Sequence, residues 1–249
     1  MGKLFLVSIG PGSMDLIVPR AKSAIENSDV VVGHQRYLDL IKPLLNNQTL
    51  IARDWGSEIE RVDLAIQETL EDRVVSLISS GDIGIYGLGG LALERLENLT
   101  EEIQWELIPG ITSANACASL LGAPLALDFL VLSLSDLMVP RETILKRAEH
   151  AGMGDFVSVL YNVQSKNRKN LIYEVLEKFK PYRSPDTPCG VVRNAYRSDE
   201  NHQIVKFEDL FSMEFDMLTT LTIGNGSTYN KQNRMITRRG YTEKNGQGE

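Results

Sequence analysis

The sequence predicts an α/β protein made of two small α/β domains, residues 1–119 and 120–242, with a flexible tail at 243–249. Three observations predict it. Short apolar runs alternate with segments of helical spacing, the pattern of a mainly parallel sheet. In the first half the apolar runs stop at turns that contain glycine. A small-residue segment, Asn115 to Leu121 (NACASLL), then leads into Gly122-Ala123-Pro124, which reads as the connection between the domains.

Taken in order, Leu4 to Ile9 (LFLVSI) is a buried strand that stops at Gly10-Pro11-Gly12. Val18 to Asn27 is a helix, and Val30 to Val32 a short strand closed by Gly33. Glu58 to Leu70 is a helix with Ile59, Val62, Ile66 and Leu70 on one face. Val74 to Ser79 (VVSLIS) is a second buried strand, Leu88 to Leu96 a helix, and Ile103 to Ile108 a strand that runs into Pro109-Gly110. In the second half, strands are expected at Leu130 to Leu134, Phe156 to Tyr161, Cys189 to Arg193 and Leu218 to Ile223. Helices are expected at Pro140 to His150 and Leu171 to Lys180. This half should carry more antiparallel pairing. No period of solenoid length is present.

Composition narrows the function. At 249 residues, 43% hydrophobic and 24% charged, the chain is of ordinary globular make-up. Its net charge of −7 argues against nucleic acid as the main partner, and an anionic small molecule would need a local basic patch. The cysteines, Cys117 and Cys189, form no disulfide framework, so a reducing, cytoplasmic setting is expected. No signal peptide is expected at the start, and no apolar stretch reaches the roughly 18 to 20 residues of a membrane span. Leu6 occupies the hydroxyl position of a myristoylation motif, which removes that reading.

Several chemistries are missing. No G-x-G-x-x-G follows the first strand, and there is no P-loop, H-E-x-x-H or G-x-S-x-G. A nicotinamide-dependent oxidoreductase is therefore a poor reading. His34, His150 and His202 are far apart and read as surface or loop residues, so no metal site is expected. What remains is a set of loops after strand ends, where ligands gather in open α/β sheets. The first is Gly10-Pro11-Gly12 with Asp15 beyond. The second is Ser80 to Gly87 (SGDIGIYG), whose glycines permit close backbone approach and whose Asp82 can accept from hydroxyls or an ammonium group. The third is Pro109 to Ala114 (PGITSA), with the hydroxyls of Thr112 and Ser113. Each alone is equally a turn or a helix cap; three in one domain read as a shared pocket.

In this order the loops resemble those of the tetrapyrrole methylases, the class III S-adenosylmethionine methyltransferases, over about residues 3 to 241. Within that family the chain is most similar to the group that methylates C17 of precorrin-3B or cobalt-factor III. Leu120 to Pro124, Asp128-Phe129, Ser133 to Leu137, Leu160 to Asn162, Gly190 to Ala195, Asp216 to Asn225 and Arg239 to Tyr241 carry that likeness. Ile83, Val163 and His34 depart from it, where relatives tend to show proline or alanine, proline, and tyrosine.

The resemblance implies S-adenosylmethionine as cofactor, folded in a cleft between the two domains. Pro11, Ser80, Gly81, Asp82, Ile85, Thr112 and Ser113 would bind it from the first domain. Tyr161, Asn194, Ala195, Thr220 and Leu221 would bind it from the second. The implied substrate is a macrocycle bearing many carboxylates, for which Lys166, Arg168 and Arg193 are the candidate contacts. Lys169 and Arg197 lie beside them. Asp15 and Asp136 are candidates for a proton role, against the commoner reading of turn-stabilising aspartates. Ring contraction and a homodimer are implied as well. Metal-free and cobalt-loaded substrates both stay open, as do methylation at C11, at C20 or of uroporphyrinogen III, and a ligand-binding relative without turnover.

Overall fold

The structure, a computed structural model, describes residues 2–241; the tail expected at 243–249 lies outside them. Internal packing divides the chain between Ser113 and Ala114 into two units.

In the first unit, β1 (Lys3–Ser8), α1 (Pro19–Glu26), β2 (Val30–Gly33), α2 (Gln35–Leu40), β3 (Thr49–Ala52), α3 (Glu58–Leu70), β4 (Val74–Ser79), α4 (Gly89–Glu97) and β5 (Gln104–Ile108) follow in order. The strands form one parallel sheet in the order β3-β2-β4-β1-β5. Alternation along β1 sends side chains to both faces. Phe5 and Val7 pack with Ala21 and Ile25 of α1 and Leu38 of α2. Leu4 and Leu6 pack with Val62, Ala65 and Ile66 of α3 and Ala92 of α4. A parallel sheet covered on both faces needs such continuous apolar runs, which is why LFLVSI and VVSLIS read as strands.

α3 departs from expectation. Val62 and Ile66 are buried, but Ile59 and Leu70 are about half exposed. The buried stripe is Arg61, Val62, Ala65, Ile66 and Thr69. The helix is turned toward its Arg61 side, and the sheet buries an arginine in place of an isoleucine.

The second unit holds α5 (Ser113–Leu121), which opens at the division, then β6 (Gly122–Ala123), β7 (Phe129–Ser133), α6 (Arg141–Met153), β8 (Val157–Tyr161), α7 (Leu171–Phe179), β9 (Pro188–Arg193), β10 (Asn201–Lys206), β11 (Thr219–Ile223), β12 (Thr228–Asn230) and β13 (Met235–Thr237). Its larger sheet has the order β10-β9-β11-β8-β7, with only β7 and β8 parallel. Leu171, Ile172, Val175, Leu176 and Phe179 form the apolar stripe that seats α7 in this unit's core. Gly122-Ala123, expected as a connection between domains, instead pairs with β13 in a small sheet of this unit. The guanidinium of buried Arg183 donates to the carbonyls of Gly224, Gly152, Tyr182 and Phe156 and pairs with Asp155, a knot that no sequence pattern announces.

Candidate functional site

β1 and β4 are neighbours in the first sheet, yet the chain leaves them in opposite directions, β1 toward β2 and β4 toward β5. Right-handed crossovers then place α1 and α4 on opposite faces. The β1 and β4 carboxyl ends are thus a switch point, where open α/β sheets form ligand crevices.

Hydrogen bonds join the loops at that point. The Gly10 N–H donates to the Gly81 carbonyl at 3.1 Å, and the Gly81 N–H to the Gly10 carbonyl at 2.7 Å. Both glycines have positive φ, 68° and 67°, which side-chain-bearing residues adopt only under strain. Ser8, fully buried, accepts the Ile83 N–H on its Oγ at 2.9 Å. Asp82 joins the third loop: Oδ1 accepts from the Gly84 N–H at 2.8 Å and Oδ2 from the Gly110 N–H at 2.9 Å. A Cβ on Gly110 would lie 2.5 Å from Ser8 Cβ and 2.6 Å from the Gly81 carbonyl oxygen. The three sequence-predicted loops therefore come together as one hydrogen-bonded assembly.

Asp82 is already an acceptor for two backbone amides, and each oxygen keeps a further lone pair for a ligand. Across residues 9–17, 80–88 and 109–113 the charged side chains are Asp15 and Asp82, with no lysine, arginine or histidine. The assembly is electronegative. Asp15 is exposed in a short turn, its N–H donating to Ser13 Oγ. Pro11 and Thr112 are buried, Ser80 and Ser113 half-buried, and Ile85 and Tyr86 present exposed apolar surface.

In the second unit, Tyr161 ends β8 and its Oη accepts the Ala114 N–H at 2.5 Å, tying β8 to the first turn of α5. Asn194 is buried in the left-handed region, φ 52°, with Nδ2 donating to Asp199 at 2.6 Å. Ala195 beside it is half-buried. Thr220 and Leu221 lie on the fully buried strand β11, and the Leu221 side chain belongs to the core. Cys117 hydrogen-bonds Thr220, yet burial pushes its thiol up to about 12.

The cationic candidates differ sharply. Arg168 is largely buried: it donates to the Asn162 carbonyl at 2.5 Å and pairs with Asp136 at 3.3 Å, while its Nε has no partner among the described residues. One substrate candidate thus holds a proton-role candidate. Arg193 is clamped between Asp216, at 2.8 Å, and Asp199, at 3.0 Å, whose hydrogen bonds raise its pKa further. Lys166 is exposed and makes no hydrogen bond or ion pair with a described residue.

The three histidines stand on separate parts of the chain, and His34 is in the loop between β2 and α2. His150 is exposed on α6 and His202 lies on β10, but His34 is buried, 4% exposed, and caps α2 by accepting the Arg36 N–H on Nδ1 at 3.1 Å. Desolvation and the nearby Arg61 charge hold its pKa below the usual value. Ile83 and Val163, which also depart from the family pattern, are fully buried in the two cores. Among the described residues no group of three or more His, Cys, Asp or Glu could hold a metal, and no helix is long and apolar enough to cross a membrane.

Residues 3–210 match the family model of the tetrapyrrole (corrin/porphyrin) methylases. The chain is 42% identical to a cobalt-factor III methyltransferase of Priestia megaterium, over 98% of this chain and 46% of that protein. It is 39% identical to a probable cobalt-factor III C(17)-methyltransferase of Salmonella typhimurium, over 96% of this chain and 99% of that one. It spans about half the length of the first two curated relatives, the Priestia protein and one from Archaeoglobus fulgidus. Among solved structures, the methyltransferase CobJ superposes with a TM-score of 0.89 at 31% identity, covering 96% of this chain and 100% of that one.

Proposed function

We infer the function from a family to which the chain belongs, the tetrapyrrole (corrin/porphyrin) methylases, and propose that it transfers the methyl group of S-adenosylmethionine to C17 of cobalt-factor III or precorrin-3B, with ring contraction, in cobalamin biosynthesis. The observation that carries this reading is the end-to-end match to the Salmonella relative, which is named for that carbon. By the same kinship we propose a cytoplasmic homodimer.

The residues present fit the cofactor. When bound, it supplies a methyl group on a positively charged sulfur. The electronegative assembly of Gly10, Gly81, Asp82 and Gly110 suits that charge and the cofactor's ammonium group. We assign cofactor contacts to Pro11, Ser80, Gly81, Asp82, Ile85, Thr112 and Ser113, and to Tyr161, Asn194, Ala195, Thr220 and Leu221. Leu221 serves through its backbone, since its side chain is in the core. Displacement at a sulfonium needs the acceptor carbon in line at about 3 to 3.5 Å, so these residues act chiefly by positioning. For substrate carboxylates, Lys166 offers an ammonium with no partner among the described residues, whereas Arg168 and Arg193 must share charges already paired. A proton-accepting role suits exposed Asp15 better than Asp136, which Arg168 holds.

Carbon-13 NMR of product made with methyl-labelled cofactor tests the assignment. Label at C17 of a contracted ring is expected. Label at C11 or C20, or transfer to uroporphyrinogen III, would overturn the regiochemistry. By calorimetry, S-adenosylhomocysteine should bind the wild type and lose about 1 to 3 kcal/mol on Asp82→Ala, the cost of a lost buried partner. A folded protein that binds neither cofactor form ends the methyltransferase reading.

A further inference from the structure

We propose that His34, Trp55 and Arg61 form a second site on the first unit, one that takes the carboxylate-bearing edge of a flat macrocycle. This rests on the substrate class proposed above and adds residues that it does not use.

The site lies at the carboxyl ends of β2 and β3, which continue the sheet edge formed by β4, β1 and β5. Along that edge cations appear only beyond β2 and β3. The loops after β1, β4 and β5 hold aspartates and no cation, so they repel a polycarboxylate. Beyond β2 and β3 stand Arg36, Arg53 and Arg61, among the carboxylates of Asp39, Asp54, Glu58 and Glu60. Arg53 is neutralised by Glu60 at 2.5 Å. Arg61 is underused. Its side chain is 3% exposed, it donates to Glu58 Oε1 at 2.9 Å, and its Nε has no partner among the described residues. Glu58 is itself 41% exposed and also accepts the Gly56 N–H at 3.3 Å.

A guanidinium buried with so few acceptors costs stability that an apolar residue would not. The position borders the stripe Val62, Ala65, Ile66, where an apolar side chain would simply extend the core. Arg61 breaks that local rule with one exposed carboxylate as its ion-pair partner among the described residues, and such departures concentrate at functional sites. His34 adds a donor: with Nδ1 accepting from Arg36, the neutral ring carries its proton on Nε2. Trp55 adds a platform. Its ring lies 4.1 Å from that of His34 at 32° and meets Tyr37 edge-on at 5.7 Å, yet it remains 59% exposed. An indole braced from the protein side and open on the other suits a flat conjugated ring, while the buried donors suit an acidic arm on that ring.

The test uses the full chain in a Trp105→Phe background, which leaves Trp55 as the sole tryptophan. Its fluorescence is titrated with uroporphyrin III, and with a tetracationic porphyrin as charge control. Uroporphyrin should quench and the cationic ring should not. Arg61→Met should weaken uroporphyrin binding about tenfold or more, as loss of a charge-assisted pair does, with partial recovery in Arg61→Lys. S-adenosylhomocysteine affinity should not change. If Arg61→Met fails to fold, Trp55→Leu, at an exposed position, carries the test by calorimetry and should weaken uroporphyrin binding severalfold. Unchanged uroporphyrin affinity in a folded variant at either position overturns the proposal, as does a wild type that binds S-adenosylhomocysteine but no porphyrin. A wild type that binds no S-adenosylhomocysteine counts against the methyltransferase reading instead.

Discussion

Gly10 and Gly81 are bonded to each other twice, each donating its N–H to the other's carbonyl, with φ of 68° and 67°. The pair closes the ends of β1 and β4 against each other, and Gly110 fits against it. A Cβ on Gly81 finds its nearest atom, Thr112 Cα, at 3.7 Å, whereas one on Gly110 meets Ser8 Cβ at 2.5 Å.

Gly81→Ala should therefore cost only the backbone term, about 1 to 2 kcal/mol. Gly110→Ala should cost more, because Ser8 or the Gly81 carbonyl must move. Urea denaturation of both variants checks the order. Equal midpoints would show that the third loop is not locked to the first two.

Lys166 and Arg193 should behave differently when neutralised. Lys166→Gln breaks no contact with a described residue, so stability should hold while the substrate KM rises and its salt dependence falls. Arg193→Gln leaves Asp199 and Asp216 without their shared cation, so the second unit should unfold at lower urea. Unchanged KM in Lys166→Gln would assign that lysine to the solvated surface.

Glu106 should set part of the acid stability. Hydrogen bonds from Arg20 and then Lys3 lower its pKa from 4.5 to about 2. A carboxylate depressed on folding stabilises above its unfolded pKa, and that stability is lost as pH falls through the folded one. The contribution should be present above about pH 4.5 and disappear toward about pH 2. Glu106→Gln should accordingly lose less stability than the wild type between about pH 6 and about pH 3, read as urea midpoints. Parallel loss in both proteins would refute the assignment.

Sequence patterning revealed every strand of the two larger sheets except the edge strands β3 and β10, and for one reason. β1 and β4 are covered on both faces, so they are buried along nearly their whole length and mostly apolar. β3 and β10 are edge strands whose residues are mostly exposed or half-exposed, and NHQIVK carries no alternation to read. The strands of β6, β12 and β13 are too short for any period to register. α3 shows the limit of helical spacing: it marks a helix, while the rotation that buries Arg61 and exposes Ile59 depends on the neighbours against which it packs.

By itself the sequence determined the α/β class, the three loops at strand ends and the residue types that they present. These follow from local rules, since burial sets apolar periodicity and tight turns demand glycine. The tertiary structure decided which polar groups meet. Asp82 reaches an amide 28 residues away, Arg168 is spent on Asn162 and Asp136, Arg193 is shared by two aspartates, and His34 lies buried under an exposed tryptophan. A hydrogen bond or ion pair depends on position to within a fraction of an ångström, and only the folded chain sets positions between residues so far apart in sequence.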